Sequence, residues 1–582
     1  MLGTSTLKRT KVTTLSSIFK SRVDSSPQSE AFRFFNTEKQ NWQSISWLDA
    51  YQKMLQVRNA LAAENLQSGD RILLAIENSP DWIYIEQAAL YMGLVVVALP
   101  PNLPPGNICQ IAEEVTAKII FIDSDNIWHA LHSNVYINEA EITLISKSQL
   151  NNIQYAKYLK QWLQKGFKHK TEACFSTASD DSLATIIYTS GSCGKPKGVK
   201  HSHKNLINNA YACLDRIDVN EDDKMLSVTP ISHCLERIAG YYVPMIAGAS
   251  IVFPKSTDVI LGDLAESKTT ILVTTPHRLE KAYKRLLDHL IISSNLVDQY
   301  MDYLHGNGGW RLKFLFWPII RGIVEKKAKK YLLHQLKFVI SGGSALSPKI
   351  ISLSKFLNLP VLQGYGLTEA GGVVSTNSID QNMPFSVGKA LNNTQIRISD
   401  DNELLVQNNS LMLGYWNNEE SITKPDDWLK TADLAHIKND YLFIKGRKNE
   451  TIHLSTGEAV IPAPIEQQLN QDALFENVML FGENKETLSL FCQLNLEEWK
   501  KFRNKYAKHK ELKSDIFTDR LKSILLIRVN TILRTIPGHP HIHLIFPTLK
   551  PWTVDNGLLN AQGKVNKGAT KKFFIENIKA LD

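Results

Sequence analysis

DSLATIIYTSGSCGKPKGVKHSHKNL, residues 181–206, is the stretch from which the rest of the chain is read. Ala184-Thr185-Ile186-Ile187-Tyr188 is an apolar, β-branched run, short enough to be a buried strand. It empties into residues 189–198, where three glycines, two serines, a threonine and two lysines share ten positions. Such a loop is a poor core and a good cradle for a polyphosphate. Glycines let backbone N–H groups approach phosphate oxygens. Hydroxyls add donors, and lysines add mobile positive charge. A lone Gly/Ser turn is usually only a surface turn. This one follows a predicted strand and precedes a predicted helix over about 203–215, the setting in which such loops hold anions. The candidate phosphate contacts are Thr189, Ser190, Gly191, Ser192, Gly194, Lys195 and Lys197. The spacings G-x-x-x-x-G-K-[ST] and G-x-G-x-x-G are both absent.

Outward from this loop the chain alternates. Upstream, residues 71–76, 94–98 and 118–122 read as strands, and 82–92 and 107–117 as helices. Downstream, strands are expected at 224–228, 250–253 and 270–273, with helices near 235–246 and 261–267. This βαβ grammar implies parallel strands with helical crossovers, enough for two sheet layers. Residues 276–335 read as mostly helical. Strands at 336–340 and 361–363 follow, ending in Ser341-Gly342-Gly343-Ser344 and Gly364-Tyr365-Gly366-Leu367-Thr368-Glu369. Beyond Pro384 short strands such as 394–398 and 403–406 suggest a small β subdomain. Charge and glycine cluster at 445–450 as a linker, and a compact α+β pattern follows.

The 582 residues suffice for three or four folding units. With 43% hydrophobic and 21% charged residues the composition is that of a soluble globular enzyme. A net charge of +8 suits anionic partners, and no nucleic-acid motif accompanies it, so no nucleic-acid partner is expected. Six scattered cysteines without C-x-x-C spacing suggest a reducing compartment. Residues 1–23 contain no secretory h-region. The longest apolar run, 88–99, is too short to span a bilayer. The expectation is a cytoplasmic protein.

Glu369 follows Thr368 at a predicted strand end. A carboxylate beside a polyphosphate is unfavourable unless a cation neutralises it, and Mg²⁺ bridging it to phosphate oxygens does so. Taken alone it reads as a solvated loop glutamate; the phosphate loop upstream tips the reading to a metal ligand. Tyr365 offers a flat face for a base, with Gly364 and Gly366 removing bulk beside it and Gln363 preceding them. Asp433 can accept from two vicinal hydroxyls, as in a ribose.

The Ser/Thr-Gly loop followed by Pro196-Lys197-Gly198 resembles the phosphate loop of the adenylate-forming enzymes: acyl-CoA synthetases, adenylation domains and luciferases. Ser192-Cys193-Gly194 stands where that family usually has Thr-Thr-Gly, and Ala432 where it has glycine before the aspartate. The resemblance covers about residue 15 to the end. It implies an α/β fold: a large N-terminal domain of stacked mixed or parallel sheets with helices (1–445, with a small β subdomain at about 384–445) and a small mobile α+β C-terminal cap (446–582). It implies that Gly343 and Ser344 wall the adenine, that Asp433 and Arg447 hold the ribose or phosphate, and that Lys564, in the loop after Asn556-Gly557-Leu558-Leu559, reaches the reacting carboxylate, with Lys567 the alternative if the loop is shifted. Pro230-Ile231-Ser232-His233-Cys234-Leu235-Glu236-Arg237 is similar to a motif of the long-chain acyl-CoA synthetases, which puts His233 and Arg237 at the acyl site. Thr456 and Gly457 resemble the hairpin that lines the route of coenzyme A. In this reading Lys564, Glu369, Thr368 and His233 are catalytic, Glu369 is the metal ligand, and ATP, Mg²⁺ and coenzyme A are required. The implied reaction is MgATP-dependent activation of a long-chain fatty acid to an acyl-adenylate and its transfer to coenzyme A. Two alternatives stay open: transfer to an acyl carrier protein, and a decayed nucleotide-binding scaffold without turnover. Chain length and oligomeric state are not legible.

One further segment stands out. In residues 310–330 Trp310, Phe314 and Trp317 are spaced to share a helical face, amid seven basic residues and one acid. That combination suits peripheral contact with the inner face of a membrane. A core helix whose lysines reach outward is the competing reading.

Overall fold

The computed structural model describes residues 6–8, 13–123, 142–147, 156–166, 178–189, 196–255, 260–290, 322–326, 328, 335–418, 427–506, 517–534, 536, 541–560 and 563–579. The loop candidates Ser190, Gly191, Ser192, Gly194 and Lys195 lie outside the described residues, as does most of 310–330.

Two sheets dominate. The strand predicted at the opening stretch, Leu183–Thr189, lies in a seven-stranded sheet between Val95–Ala98 and Lys197–Ser202, with Arg71–Ala75 and Ile119–Ile122 beyond. The other sheet has nine strands, and its parallel centre runs Ser250–Phe253, Lys224–Ser227, Ile271–Thr274, Phe338–Ser341, Val361–Tyr365. These central strands are buried on both faces, which is why they read as unbroken apolar runs. Successive residues serve different layers, as a pleat of period two requires. Ile72 and Leu74 from one sheet meet Phe32, Ile251 and Val273 from the other in a single core, filled by Trp47, Trp82, Leu206 and Tyr241. Leu73, Val97 and Ile120 turn instead to an outer cluster with Ile108 and Ile111. Leu226, Leu272 and Val339 turn to another with Leu286 and Ile350. The helices Trp47–Ala62, Pro80–Tyr91 and His203–Leu214 thus lie between the sheets.

The expected helix after the phosphate loop is present as His203–Leu214, opened by a Ser202 cap on the Asn205 N–H. A strand absent from the sequence expectations, Lys197–Ser202, comes first and pairs antiparallel with Leu183–Thr189, with Thr189 opposite Lys197. The helix expected near 235–246 begins as a π-helical segment, Glu236–Tyr242, and continues as Val243–Ala247.

Beyond these layers Thr394–Ile398, Glu403–Asn408, Leu429–Lys438 and Tyr441–Arg447 form a four-stranded antiparallel sheet. After Arg447 the chain builds a three-stranded sheet (Phe475–Phe481, Leu488–Leu494, Ile542–Thr548) with a core of its own around Trp499, Leu521 and Leu525. From 310–330, Val324 and Ala328 are buried, whereas Ile323 is 62% exposed. No described helix is long and apolar enough to cross a membrane.

Candidate functional site

Ligands of open α/β sheets bind beyond the carboxyl ends of the strands. Here the neighbouring strands Phe338–Ser341 and Val361–Tyr365 end side by side and release the two glycine-bearing loops. Gly343 and Ser344 are exposed there, and Gln363 is buried behind them. Gly366 has no alternative: a Cβ at that position would lie 1.8 Å from the Gly372 carbonyl oxygen. Its absence lets the chain fold tightly into the turn Thr368–Ala370, which carries Glu369.

The antiparallel sheet brings Asp433 to this edge. Its Oδ2 accepts from the Tyr365 hydroxyl at 2.5 Å, and its Oδ1 pairs with Arg447 Nε at 3.0 Å across the register partners Asp433 and Arg447. Burial raises the Asp433 carboxyl above its ordinary pKa, against the pull of Arg447. Burial, with the carboxylate beside it, drives the Tyr365 phenol well above its usual value. Each carboxylate oxygen keeps a lone pair for a hydroxyl donor. Ala432, at the glycine position of the motif, has φ +57°, and its N–H donates to Glu403 Oε1 at 2.9 Å. The backbone that glycine would adopt freely is therefore kept, at the strain of an alanine in the left-handed region.

Glu369 sits opposite. Its Oε1 accepts from the Tyr415 hydroxyl at 3.0 Å, and Oε2 has no hydrogen bond among the described residues. The ammonium of Lys197 lies 5.1 Å from the centre of the Tyr415 ring. Thr368 is buried, and its carbonyl accepts from the ring nitrogen Nε2 of His201 at 2.8 Å. Neither Tyr415 nor His201 is marked by the sequence: a tyrosine after a glycine and a histidine in a strand carry no signal of their own.

Lys564 crosses from the C-terminal lobe. Its ammonium donates to the Gly343 carbonyl, while its backbone N–H bonds Asn560 Oδ1 at 3.0 Å. The side chain stays accessible along the cleft, yet the surrounding protein and then Arg447 lower its pKa below the usual lysine value. His233 is close enough to feel that charge: burial first, and Lys564 second, hold it down to about 4. Its Nδ1 is buried without a hydrogen-bond partner among the described residues.

Two other groups of expected residues make their contacts elsewhere. Arg237 is wholly buried between the sheets, 3.0 Å from Glu86 Oε1, donating to Thr185 Oγ1 at 2.7 Å and lying over the Trp82 ring. Thr456 and Gly457 sit at the solvent-exposed tip between Ile452–His453 and Ala459–Val460, where Gly457 takes φ +88°.

Residues 19–416 match the AMP-binding enzyme family and residues 449–516 the AMP-binding enzyme C-terminal domain. A long-chain-fatty-acid–CoA ligase of Mycobacterium bovis is 26% identical over 492 residues, 80% of each chain. The peroxisomal long chain acyl-CoA synthetase 6 of Arabidopsis thaliana is 23% identical over 566 residues, covering 89% of this chain and 79% of its own. The A domain of a carboxylic acid reductase from Segniliparus rugosus, solved with AMP and a co-purified carboxylic acid, superposes with a TM-score of 0.76 at 17% identity, over 98% of this chain and 94% of the other. Two stacked sheets, a site at their carboxyl edge and matches to both lobes lead to one assignment: the chain belongs to the AMP-binding enzyme family.

Proposed function

We propose that this chain is a long-chain fatty acid–CoA ligase that forms an acyl-adenylate from MgATP and then a thioester. The observation that carries the proposal is the meeting of Lys564 with Gly343, beside the Asp433–Tyr365–Arg447 cluster. Long-chain specificity rests on the names of the related ligases and on the motif at 230–237.

In the first step Asp433 receives the ribose hydroxyls, and the Gly343 loop and Tyr365 frame the adenine. The hairpin of which Thr189 and Lys197 form the base holds the phosphates. Glu369 fits a hard cation: it offers a half-buried carboxylate with one oxygen braced and the other open. Mg²⁺, when bound, supplies charge neutralisation at the phosphates. Among the described residues no group of three His, Cys, Asp or Glu side chains gathers, and a cation held by one carboxylate plus phosphate oxygens needs none. Lys564 offsets the repulsion between the attacking carboxylate and the α-phosphate, a matter of charge and positioning. His233, held neutral, lies beside the acyl carboxylate.

For the second step residues 446–582 swing about 445–450. Lys564 withdraws and the tip at Thr456 and Gly457 comes to the site, giving coenzyme A its route to the activated carbonyl. The exposure of that tip while Lys564 is engaged supports two alternating arrangements. The reading extends to peripheral membrane docking through 310–330, supported by the exposure of Ile323; co-sedimentation with anionic vesicles that weakens at high salt is expected, and its absence argues against the docking.

The test is AMP release from ATP over a panel of acyl chains, with coenzyme A or acyl carrier protein as acceptor. Thioester formation with coenzyme A on long chains is expected. Transfer only to carrier protein, or no AMP with any acid, overturns the proposal.

A further inference from the structure

The Thr368–Ala370 turn is fastened to a strand that belongs to the other sheet. His201, on Lys197–Ser202, bonds the Thr368 carbonyl at 2.8 Å. The Met412 N–H donates to the Glu369 carbonyl at 2.9 Å, and Leu413 N–H in turn to the Lys200 carbonyl at 2.9 Å. Lys200 N–H donates to Gly414 O at 3.0 Å and Trp416 N–H to Gly198 O at 2.7 Å, so Tyr415 is pinned on both sides to the strand that leaves the phosphate loop. Trp416 is anchored further by its indole N–H on the Glu114 carbonyl at 3.1 Å. From this frame Tyr415 reaches the Glu369 carboxylate and carries Lys197 over its ring.

We propose that Tyr415 is a positioning residue for metal-bound ATP: its phenol fixes one oxygen of Glu369, aims the other at the cation, and ties that carboxylate to the strand bearing Lys197. This rests on the reading of Glu369 as the metal ligand. A glutamate at the end of a turn has three torsions to order, and a donor on one oxygen selects among them before the metal arrives. Groups of this kind behind a metal ligand contribute about 10–100-fold in metal affinity or activity.

The test is calorimetric binding of ATP, once with Mg²⁺ and once in EDTA, to wild type, Tyr415→Phe, Glu369→Gln and the double variant. Tyr415→Phe keeps the ring against Lys197, and an unchanged thermal midpoint checks its fold. It should weaken MgATP binding about tenfold and leave metal-free ATP binding unchanged. In the Glu369→Gln background the same substitution should add nothing. Equal losses with and without Mg²⁺ mean that Tyr415 is merely structural and overturn the proposal. So does an unaltered Tyr415→Phe when Glu369→Gln selectively loses MgATP. If Glu369→Gln itself binds MgATP normally, the reading of Glu369 fails and the proposal falls with it.

Discussion

The Lys564 ammonium donates a hydrogen bond to the Gly343 carbonyl, joining residues 221 positions apart and closing the C-terminal lobe onto the loop that leaves Phe338–Ser341. Crowding by protein, with Arg447 nearby, disfavours the ammonium, so Lys564 titrates below the ordinary 10.5, with Glu450 and Asp433 opposing the shift. In the proposed adenylation step the cation is the useful form, and it exists below that pKa. kcat/KM for ATP in adenylate formation should therefore fall as pH rises through a value under 10.5. Lys564→Arg stays charged at every accessible pH and should lose that alkaline limb, whatever its residual rate. An identical limb in the arginine variant assigns the titration elsewhere.

Asp433→Ala should weaken AMP binding and raise the KM for ATP. Hydrogen bonds to a charged group contribute ~1.5–3 kcal/mol each, so the loss of a single one already implies about tenfold in Kd. Calorimetry with AMP checks this; equal affinity in mutant and wild type removes Asp433 from the nucleotide site.

Ala432→Gly should stabilise the protein. The φ of +57° costs an alanine about 1 kcal/mol that glycine does not incur. The thermal unfolding midpoint should rise, with AMP affinity unchanged. A lower midpoint contradicts the assignment of strain.

Arg237→Ala should destabilise by about 3–5 kcal/mol, because it strands Glu86 in the layer between the sheets. Pairing it with Glu86→Gln should recover part of the loss in thermal unfolding. An Arg237→Ala protein that melts like wild type but no longer turns over fatty acid places its role at the acyl site instead.

Much of this architecture is legible in the chain. Buried parallel strands write themselves as runs such as Ile271–Thr274 and Phe338–Ser341. Glu369 follows a strand end and Lys564 lies in a loop, as expected, whereas Asp433 lies inside the strand Leu429–Lys438, where no element was expected; the structure gathers Lys564, Gly343, Asp433, Tyr365 and Arg447 into one region. What escaped has physical causes. Lys197–Ser202 is a strand whose buried positions are Gly198, Val199, His201 and Ser202, only one of them a branched apolar residue, so no hydrophobic run marks it. The buried Glu86 carboxylate holds the Arg237 guanidinium between the sheets, a pairing with a residue far away in the chain that no local pattern announces. Tyr415 acquires its meaning only through Glu369, 46 residues away; no local pattern announces such a contact.

Lys564→Ala separates the two half-reactions. The first is measured as pyrophosphate exchange into ATP in the presence of fatty acid. The second is measured as thioester formation from supplied acyl-adenylate and coenzyme A. If Lys564 acts at the nucleotide edge only in the arrangement described here, exchange should disappear while thioester formation from the supplied adenylate largely survives. An equal fall in both contradicts the account and makes Lys564 a structural strut between the lobes.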